Sequence, residues 1–297
     1  MKRALLTGAT GFVGRQAIAP LLARGFEVHA ASRQGGESGP GVTWHDTDLL
    51  SAPARVELVE TVRPTHLLHF GWYVEHGEFW SSPRNLDWVA ASLSLLRLFT
   101  EAGGRRAVMA GTCAEYSWDH PMLAESSTPL EPATLYGNCK HSLQLILSAF
   151  ALQAGISAAW GRIFFTYGPH EAPGRLVASV IRSLLDNEVA ACSHGRQIRD
   201  FLYVKDLADA FVALLDSTVD GPVNLASGRS VTLREVVEII GRQIGRPELI
   251  ELGVVPASTD DPAELSADVS RLRDEVGWSP EHSLDSGLEE TIAWWKR

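Results

Sequence analysis

Cysteine is scarce in this chain. Its three copies, Cys113, Cys139 and Cys192, form neither a paired framework nor a metal-ligand spacing, which argues against a disulfide-stapled secreted protein and fits a reducing compartment. Long apolar runs are missing too: none approaches the ~20 residues that a helix needs to cross a bilayer. Positive charge is in deficit, with 26 Lys and Arg against 36 Asp and Glu and a formal net charge of −10. That balance argues against a nucleic-acid-binding surface and against docking on anionic membrane. There is no internal repeat and no low-complexity tract. The opening Met-Lys-Arg-Ala-Leu-Leu-Thr-Gly runs into a glycine turn too early for a secretory signal. These absences together predict a cytoplasmic protein. With 45% hydrophobic and 21% charged residues over 297 positions, the chain has room for one large domain or two closely joined ones.

The pattern that is present alternates strand and helix. Ala4 to Thr7 is a short apolar run, Phe12 to Arg24 carries helical spacing, and Glu27 to Ser32 is again strand-like. Strand, turn, helix and strand within about thirty residues make a βαβ unit. His66 to Phe70, Ala107 to Gly111 and Ser157 to Phe165 extend the strand series, with helices expected over Leu86–Ala102 and Leu135–Gln153. The second of these presents Leu143, Ile146, Leu147 and Phe150 as its apolar face. Beyond residue 166 the elements shorten, and helices are expected over Leu176–Leu185, from Thr232 to Ile244 and over Leu284–Trp295. The expected architecture is α/β: a Rossmann-type doubly wound parallel sheet over 1–165, to which segments around 200–228 return, and a smaller C-terminal α/β lobe within 166–297 for substrate.

Two local patterns carry chemistry. Gly8-Ala9-Thr10-Gly11-Phe12-Val13-Gly14 follows the first strand and opens the first helix. Glycines at 8, 11 and 14 permit a tight turn and close approach of backbone to a pyrophosphate, and the helix N-terminus supplies unpaired N–H groups. At the end of the second strand a carboxylate would accept the ribose hydroxyls of NAD. Ser32 and Arg33 stand there instead, chemistry that welcomes a 2′-phosphate, so NADP(H) is favoured over NAD(H). Asp48 and Leu49 are placed to bracket the adenine. The second pattern is Tyr136-Gly-Asn-Cys-Lys140, which on a helix puts a phenol and an ammonium on one face. A lysine charge there would draw the phenol from its ordinary pKa of about 10 toward the working range. Thr112, ending a strand, is a candidate third member.

In this order the motifs resemble the extended short-chain dehydrogenase/reductase family of NAD(P)-dependent nucleotide-sugar epimerases, dehydratases and reductases. The likeness spans nearly the whole chain, through Thr7 to Gly14, Asp48-Leu49, His69-Phe70-Gly71, Gly111-Thr112 to Tyr116, Tyr136 with Lys140, and Arg162 with Tyr167-Gly168-Pro169. Arg199-Asp200-Phe201, Val223 to Gly228 and Val276-Gly277-Trp278 complete it. The resemblance implies that Thr112 hydrogen-bonds the reacting sugar oxygen and that Tyr136 transfers the proton. Lys140 would tune Tyr136 and hold the nicotinamide ribose. Phe70 and Gly71 would line the cofactor site, while Trp72, Cys113, Phe165, Arg175 and Arg199 would line the substrate side, with Arg199 on the diphosphate. It also implies a homodimer through the helices at 86–102 and 136–153.

Departures from that family's pattern narrow the reaction. Members that remove water from a hexose carry Asp-Glu after the Ser/Thr, whereas Cys113-Ala114 stand here. A thiol of ordinary pKa about 8.5 can in principle donate a proton, but alanine replaces no carboxylate. Strand alternation would put Glu115 on the side of Cys113, although the resemblance places it away from the elimination site. A 4,6-dehydratase is therefore not expected. Phe165 and Trp88, where relatives carry asparagine, point to a deoxygenated sugar, since a buried unpaired hydroxyl is costly. The expectation is a reductase of the C4 keto group of a nucleotide-linked 4-keto-6-deoxyhexose, with a 4-epimerase retaining NAD and a non-catalytic dinucleotide-binding regulator or scaffold as alternatives. His66 and His69 would face opposite sides of a strand, and no metal site is expected.

Overall fold

The computed structural model describes residues 2–257 and 261–297. β1 (Lys2–Thr7) runs through the glycine turn into α1 (Gly14–Ala23), followed by β2 (Phe26–Ser32), β3 (Val42–Asp46), α2 (Ala52–Val62) and β4 (His66–His69). α3 (Arg84–Glu101), β5 (Arg106–Thr112), β6 (Met122–Leu123), α4 (Leu135–Ala154) and β7 (Ser157–Ile163) continue the alternation. Then come β8 (Phe165–Tyr167), α5 (Leu176–Leu185), β9 (Ala190–Cys192), β10 (Ile198–Tyr203), α6 (Val204–Asp216) and β11 (Gly221–Leu225). β12 (Ser230–Thr232), α7 (Leu233–Ile244), β13 (Ile250–Leu252), β14 (Glu264–Ala267) and α8 (Leu284–Trp295) close the chain.

The first sheet has seven strands in the order β11-β7-β5-β4-β1-β2-β3, all parallel. Its central strands are apolar on both faces because helices cover both. On one face α1 and α6 pack Leu21, Leu207 and Phe211 against Leu6, Val28 and Val108. On the other, α2, α3 and α4 pack Leu58, Leu95 and Leu143 against Leu5, Leu67 and Met109. Each such leucine is worth roughly 1.5–3 kcal/mol of burial. This is the doubly wound Rossmann sheet that the alternation predicts. The strand order reverses between β1 and β4, and ligands of such sheets bind in the crevice at the carboxyl ends of the strands beside that point. A second sheet, β12-β10-β14-β6 with β8 alongside β10, packs under α5, α7 and α8 around Ile181, Val236 and Leu288.

Local chemistry sets the boundaries that matter. Thr134 caps α4, its hydroxyl accepting from the Gly137 N–H at 3.1 Å, and Gly155 ends the helix in the left-handed region. The expected strand 157–165 breaks after Ile163, and Phe165 begins β8 in a new partnership with β10. Residues 113–115 form a single 3₁₀ turn and no strand. Ile146, expected on the buried face of α4, is 44% exposed.

Candidate active site

The crevice at the switch point is a cavity of about 350 Å³ lined by Gly8 to Gly14 except Ala9, by Ser32 and Arg33, by Asp48 and Leu49, and by Phe70 and Gly71. Close packing explains why glycine occupies the turn. A Cβ on Gly14 would lie 2.2 Å from the Gly8 carbonyl oxygen, a main-chain atom that cannot move aside. Gly8 itself has φ +67°, so the turn exposes backbone where side chains would otherwise stand. Those N–H groups and the start of α1 suit the diphosphate of the dinucleotide that the sequence implies. Ser32 spends its hydroxyl on Gly35 O at 3.1 Å, and the Asp48 carboxylate accepts from the Leu50 N–H at 3.0 Å. Arg33 is exposed and lines the cavity beside them.

The same cavity reaches Tyr136, Trp72, Trp88 and Arg175. Tyr136 and Lys140 lie in the first turns of α4, both buried. Gly137 between them lets α4 touch the turn after β5: a Cβ there would fall 2.4 Å from Ala114 O. That contact brings Tyr136 to Thr112. The Thr112 Oγ1 accepts from the Ala114 N–H at 3.2 Å, leaving its O–H to donate. Burial raises the Tyr136 phenol above its ordinary value, with the Thr112 side chain the foremost opposing influence and the Arg175 charge a smaller one. The expectation that Lys140 draws the phenol down is thus corrected. The Lys140 Nζ donates to Ala110 O at 2.8 Å and sits 3.7 Å from the centroid of the Trp72 ring. Its own pKa is pushed down to about 7 by burial. Both lie buried in the first turns of α4, and burial is the largest influence on each.

On the other side of Thr112 the expected groups fare differently. Burial pushes the Cys113 thiol up to about 12, which makes it a poorer proton donor than its ordinary value suggested. Glu115 does not lie with Cys113 as strand alternation required, because the chain turns there. Its carboxylate is buried, accepting from the Thr112 N–H at 2.8 Å, the Trp160 indole at 2.8 Å and Arg162 Nε at 2.9 Å. It anchors Thr112 and is closed to substrate. Arg199, 1% exposed, donates through Nη1 to Ile198 O at 2.7 Å and through Nη2 to Asp261 at 2.6 Å and Pro262 O at 2.7 Å. It lies 5.2 Å from the Phe165 ring and is not among the residues that line the cavity. Arg175 does line it, its Nε 3.2 Å from Glu171 Oε1. The structure therefore brings Trp72 and Arg175 together with Tyr136, and keeps Cys113, Phe165 and Arg199, and with them the buried Thr112 and Lys140, off that cavity's lining.

A model of the NAD dependent epimerase/dehydratase family matches residues 4–226. The chain belongs to that family. UDP-glucuronic acid decarboxylase 1 of Xenopus tropicalis is 26% identical over all of this chain and 72% of its own length. UDP-glucose 4-epimerase of Corynebacterium glutamicum is 28% identical over 94% of this chain and 91% of its own. The crystal structure of a Thermus thermophilus UDP-glucose 4-epimerase with NAD superposes with a TM-score of 0.84 at 24% identity, covering 99% of both chains. The protein is thus an enzyme of the NAD-dependent epimerase/dehydratase type.

Tyr136 sits here among clustered aromatics. Phe79 and Trp80 meet the Tyr136 ring edge-on at 4.9 and 5.7 Å, and Trp118 stands 6.3 Å from Trp80. The Tyr136 N–H donates to Trp80 O at 3.1 Å, fastening the 75–82 loop to α4. Sequence reasoning passed over Phe79, Trp80 and Trp118; the density of aromatics between Phe70 and Trp88 was the available signal. His69 is buried between Thr7 Oγ1 at 2.7 Å and Ser92 Oγ at 2.9 Å, and burial lowers its pKa to about 3. His66 instead packs edge-on against Phe26 at 5.1 Å. Among the described residues no cluster of three or more His, Cys, Asp or Glu is arranged to hold a metal. No described helix is long and apolar enough to cross a membrane.

Proposed function

We propose that this enzyme reduces the C4 keto group of a nucleotide-linked 4-keto-6-deoxyhexose with NADPH. One observation carries the reading: Tyr136 is a phenol held protonated by burial, with a threonine hydroxyl beside it and no free carboxylate in the turn that follows Thr112. Such a site donates one proton to a carbonyl oxygen and lacks the acid and base that elimination requires. The dinucleotide, when bound, supplies the hydride. Thr112 donates to the same oxygen and orients it, and Lys140 holds the ribose next to Tyr136. Phe79 and Trp80 cover the Tyr136 ring, and Trp88, which lines the cavity, offers an apolar face to the deoxygenated edge of the sugar. Arg33 at the far end of the cavity supports NADP(H) over NAD(H).

A 4-epimerase is the second reading, favoured by the likeness to UDP-glucose 4-epimerases. It uses the same three residues and keeps its nicotinamide between turnovers. Nucleoside-diphosphate 4-keto-6-deoxysugars should drive stoichiometric NADPH oxidation. Nicotinamide absorbance retained through purification, with no net cofactor consumption, would instead establish the epimerase. In either case Tyr136→Phe should lower turnover by about 10²- to 10⁴-fold while leaving dinucleotide affinity within a few-fold. Turnover close to wild type would refute the assignment.

The proposed assembly is a homodimer through α3 and α4, supported by Leu86, Leu145, Ile146 and Leu152 on their outer faces, between 44% and 87% exposed. Sedimentation at the mass of one chain would refute it.

A further inference from the structure

Lys140 is buried and poorly supplied with partners. It is 4% exposed, and its hydrogen bond goes to the neutral Ala110 carbonyl at 2.8 Å. Charged and titratable groups that reach it come from three elements. His69 on β4 is held neutral by burial. Cys139 and Tyr136 on α4 are both pushed up and uncharged. Glu115, on the turn after β5, is the leading charge that opposes the effect of burial on Lys140, and it is itself paired with Arg162 at 2.9 Å. What faces the ammonium directly is an indole: Nζ lies 3.7 Å from the centroid of Trp72 and 5.9 Å from that of Trp160.

Trp72 is itself fixed. Its Nε1–H donates to Asn85 Oδ1 at 2.8 Å, and the fully buried Asn85 donates through Nδ2 to Phe79 O at 2.7 Å and Ser82 O at 2.8 Å. One chain of contacts therefore runs from the aromatic loop through Asn85 and Trp72 to Lys140.

We propose that Trp72 is the positioning residue of Lys140, its indole face holding the ammonium charged and in place at the start of α4 while Asn85 holds the indole. The ring quadrupole attracts a cation most strongly where water is excluded. Burial, opposed first by the Glu115 charge, leaves Lys140 at about 7, so a modest change in the attraction of the ring moves the charged fraction at neutral pH. The inference rests on the reading in which Lys140 serves catalysis, but its test reads titration and needs no substrate.

The chain has four lysines, Lys2, Lys140, Lys205 and Lys296, so protein carrying ¹³Cε-lysine gives four side-chain signals to titrate. Biosynthetic replacement of tryptophan by fluorinated analogues weakens the quadrupole with little change of shape. Across that series the Lys140 midpoint should fall stepwise, by about one pH unit in total. Lys2 and Lys205, which face Phe26 at 5.1 Å and Tyr203 at 5.7 Å, should not move. In Trp72→Phe the response to fluorination should vanish, which separates Trp72 from Trp160. A Lys140 midpoint indifferent to fluorination overturns the proposal, and so does a response that survives in Trp72→Phe. Should that variant fail to fold, Trp160→Phe takes its place: a response to fluorination that persists there assigns it to Trp72, and one that vanishes overturns the proposal. Once a turnover assay exists, the alkaline limb of kcat should move down with the midpoint. Failure of the functional reading would leave the titration result standing.

Discussion

The two halves of the crevice are built from different materials. On the dinucleotide side the surface is main chain: glycines at 8, 11 and 14, the start of α1, and a carbonyl at Gly8 packed where any Gly14 side chain would go. Behind the rest of the site, on residues that do not line the cavity, the structure rests on buried charge. The Asp200 carboxylate, fully buried, takes up the Ser227 N–H at 2.7 Å, its hydroxyl at 2.6 Å and the Gly228 N–H at 2.8 Å. Arg162 and Glu115 pair with neither exposed to solvent, and Arg199 is anchored on Asp261. A surface made of backbone tolerates few substitutions but reads no sequence-specific detail of its ligand beyond phosphates. One held by paired side chains costs more to desolvate, yet can be retuned residue by residue, which suits the end of the site where members of a family must differ.

Substitutions can break this contrast. The largest loss is expected from Glu115→Ala, which strands Arg162 as a buried unpaired charge and should cost about 3–5 kcal/mol, read as a urea-midpoint shift. Gly14→Ala attacks the other half. Its Cβ has no room against Gly8 O, so roughly 3 kcal/mol of stability and most dinucleotide affinity should be lost, measured by melting and by cofactor titration. Glu171→Gln tests buried charge by pH. Burial raises the Glu171 carboxyl from 4.5 to about 7, so the native state binds its proton more tightly than the unfolded chain. The resulting stability is complete below pH about 4.5 and lost as pH rises through about 7, roughly 3 kcal/mol in all. In the glutamine variant the melting temperature should flatten across that window; an unchanged slope would exonerate Glu171. Smallest is Arg33→Ser, expected to lower NADPH affinity about tenfold, or about 1.4 kcal/mol, with NADH affinity unchanged.

What could be read before folding follows the same division. The cofactor half announces itself because a backbone-built site demands glycine at fixed spacing after an apolar run, a demand that Gly8, Gly11 and Gly14 meet visibly. Tyr136 and Lys140 were legible as helix neighbours. Their electrostatics were not, since desolvation depends on Phe79, Trp80 and Trp72, which only tertiary packing sets around them. Glu115 illustrates the limit: one 3₁₀ turn after Thr112 carried it from the substrate side into a buried ion pair. Arg199 was recognisable by motif, but its commitment to Asp261 depends on a segment more than sixty residues away. Ile146 looked like core because periodicity finds an apolar stripe without saying how wide the buried face is.

The outer edge of the seven-stranded sheet has a consequence for how the molecule is made. β11, at Gly221–Leu225, completes the sheet by pairing with β7, which ends at Ile163. As the chain leaves the ribosome, β7 must present an unpaired edge until the second sheet's β8 and β10 and the whole of α6 have been synthesised. At roughly 5–20 residues per second that interval lasts several seconds. Nascent chains arrested between those points expose a sticky strand, and a holdase or a pause placed there would decide the yield of folded enzyme.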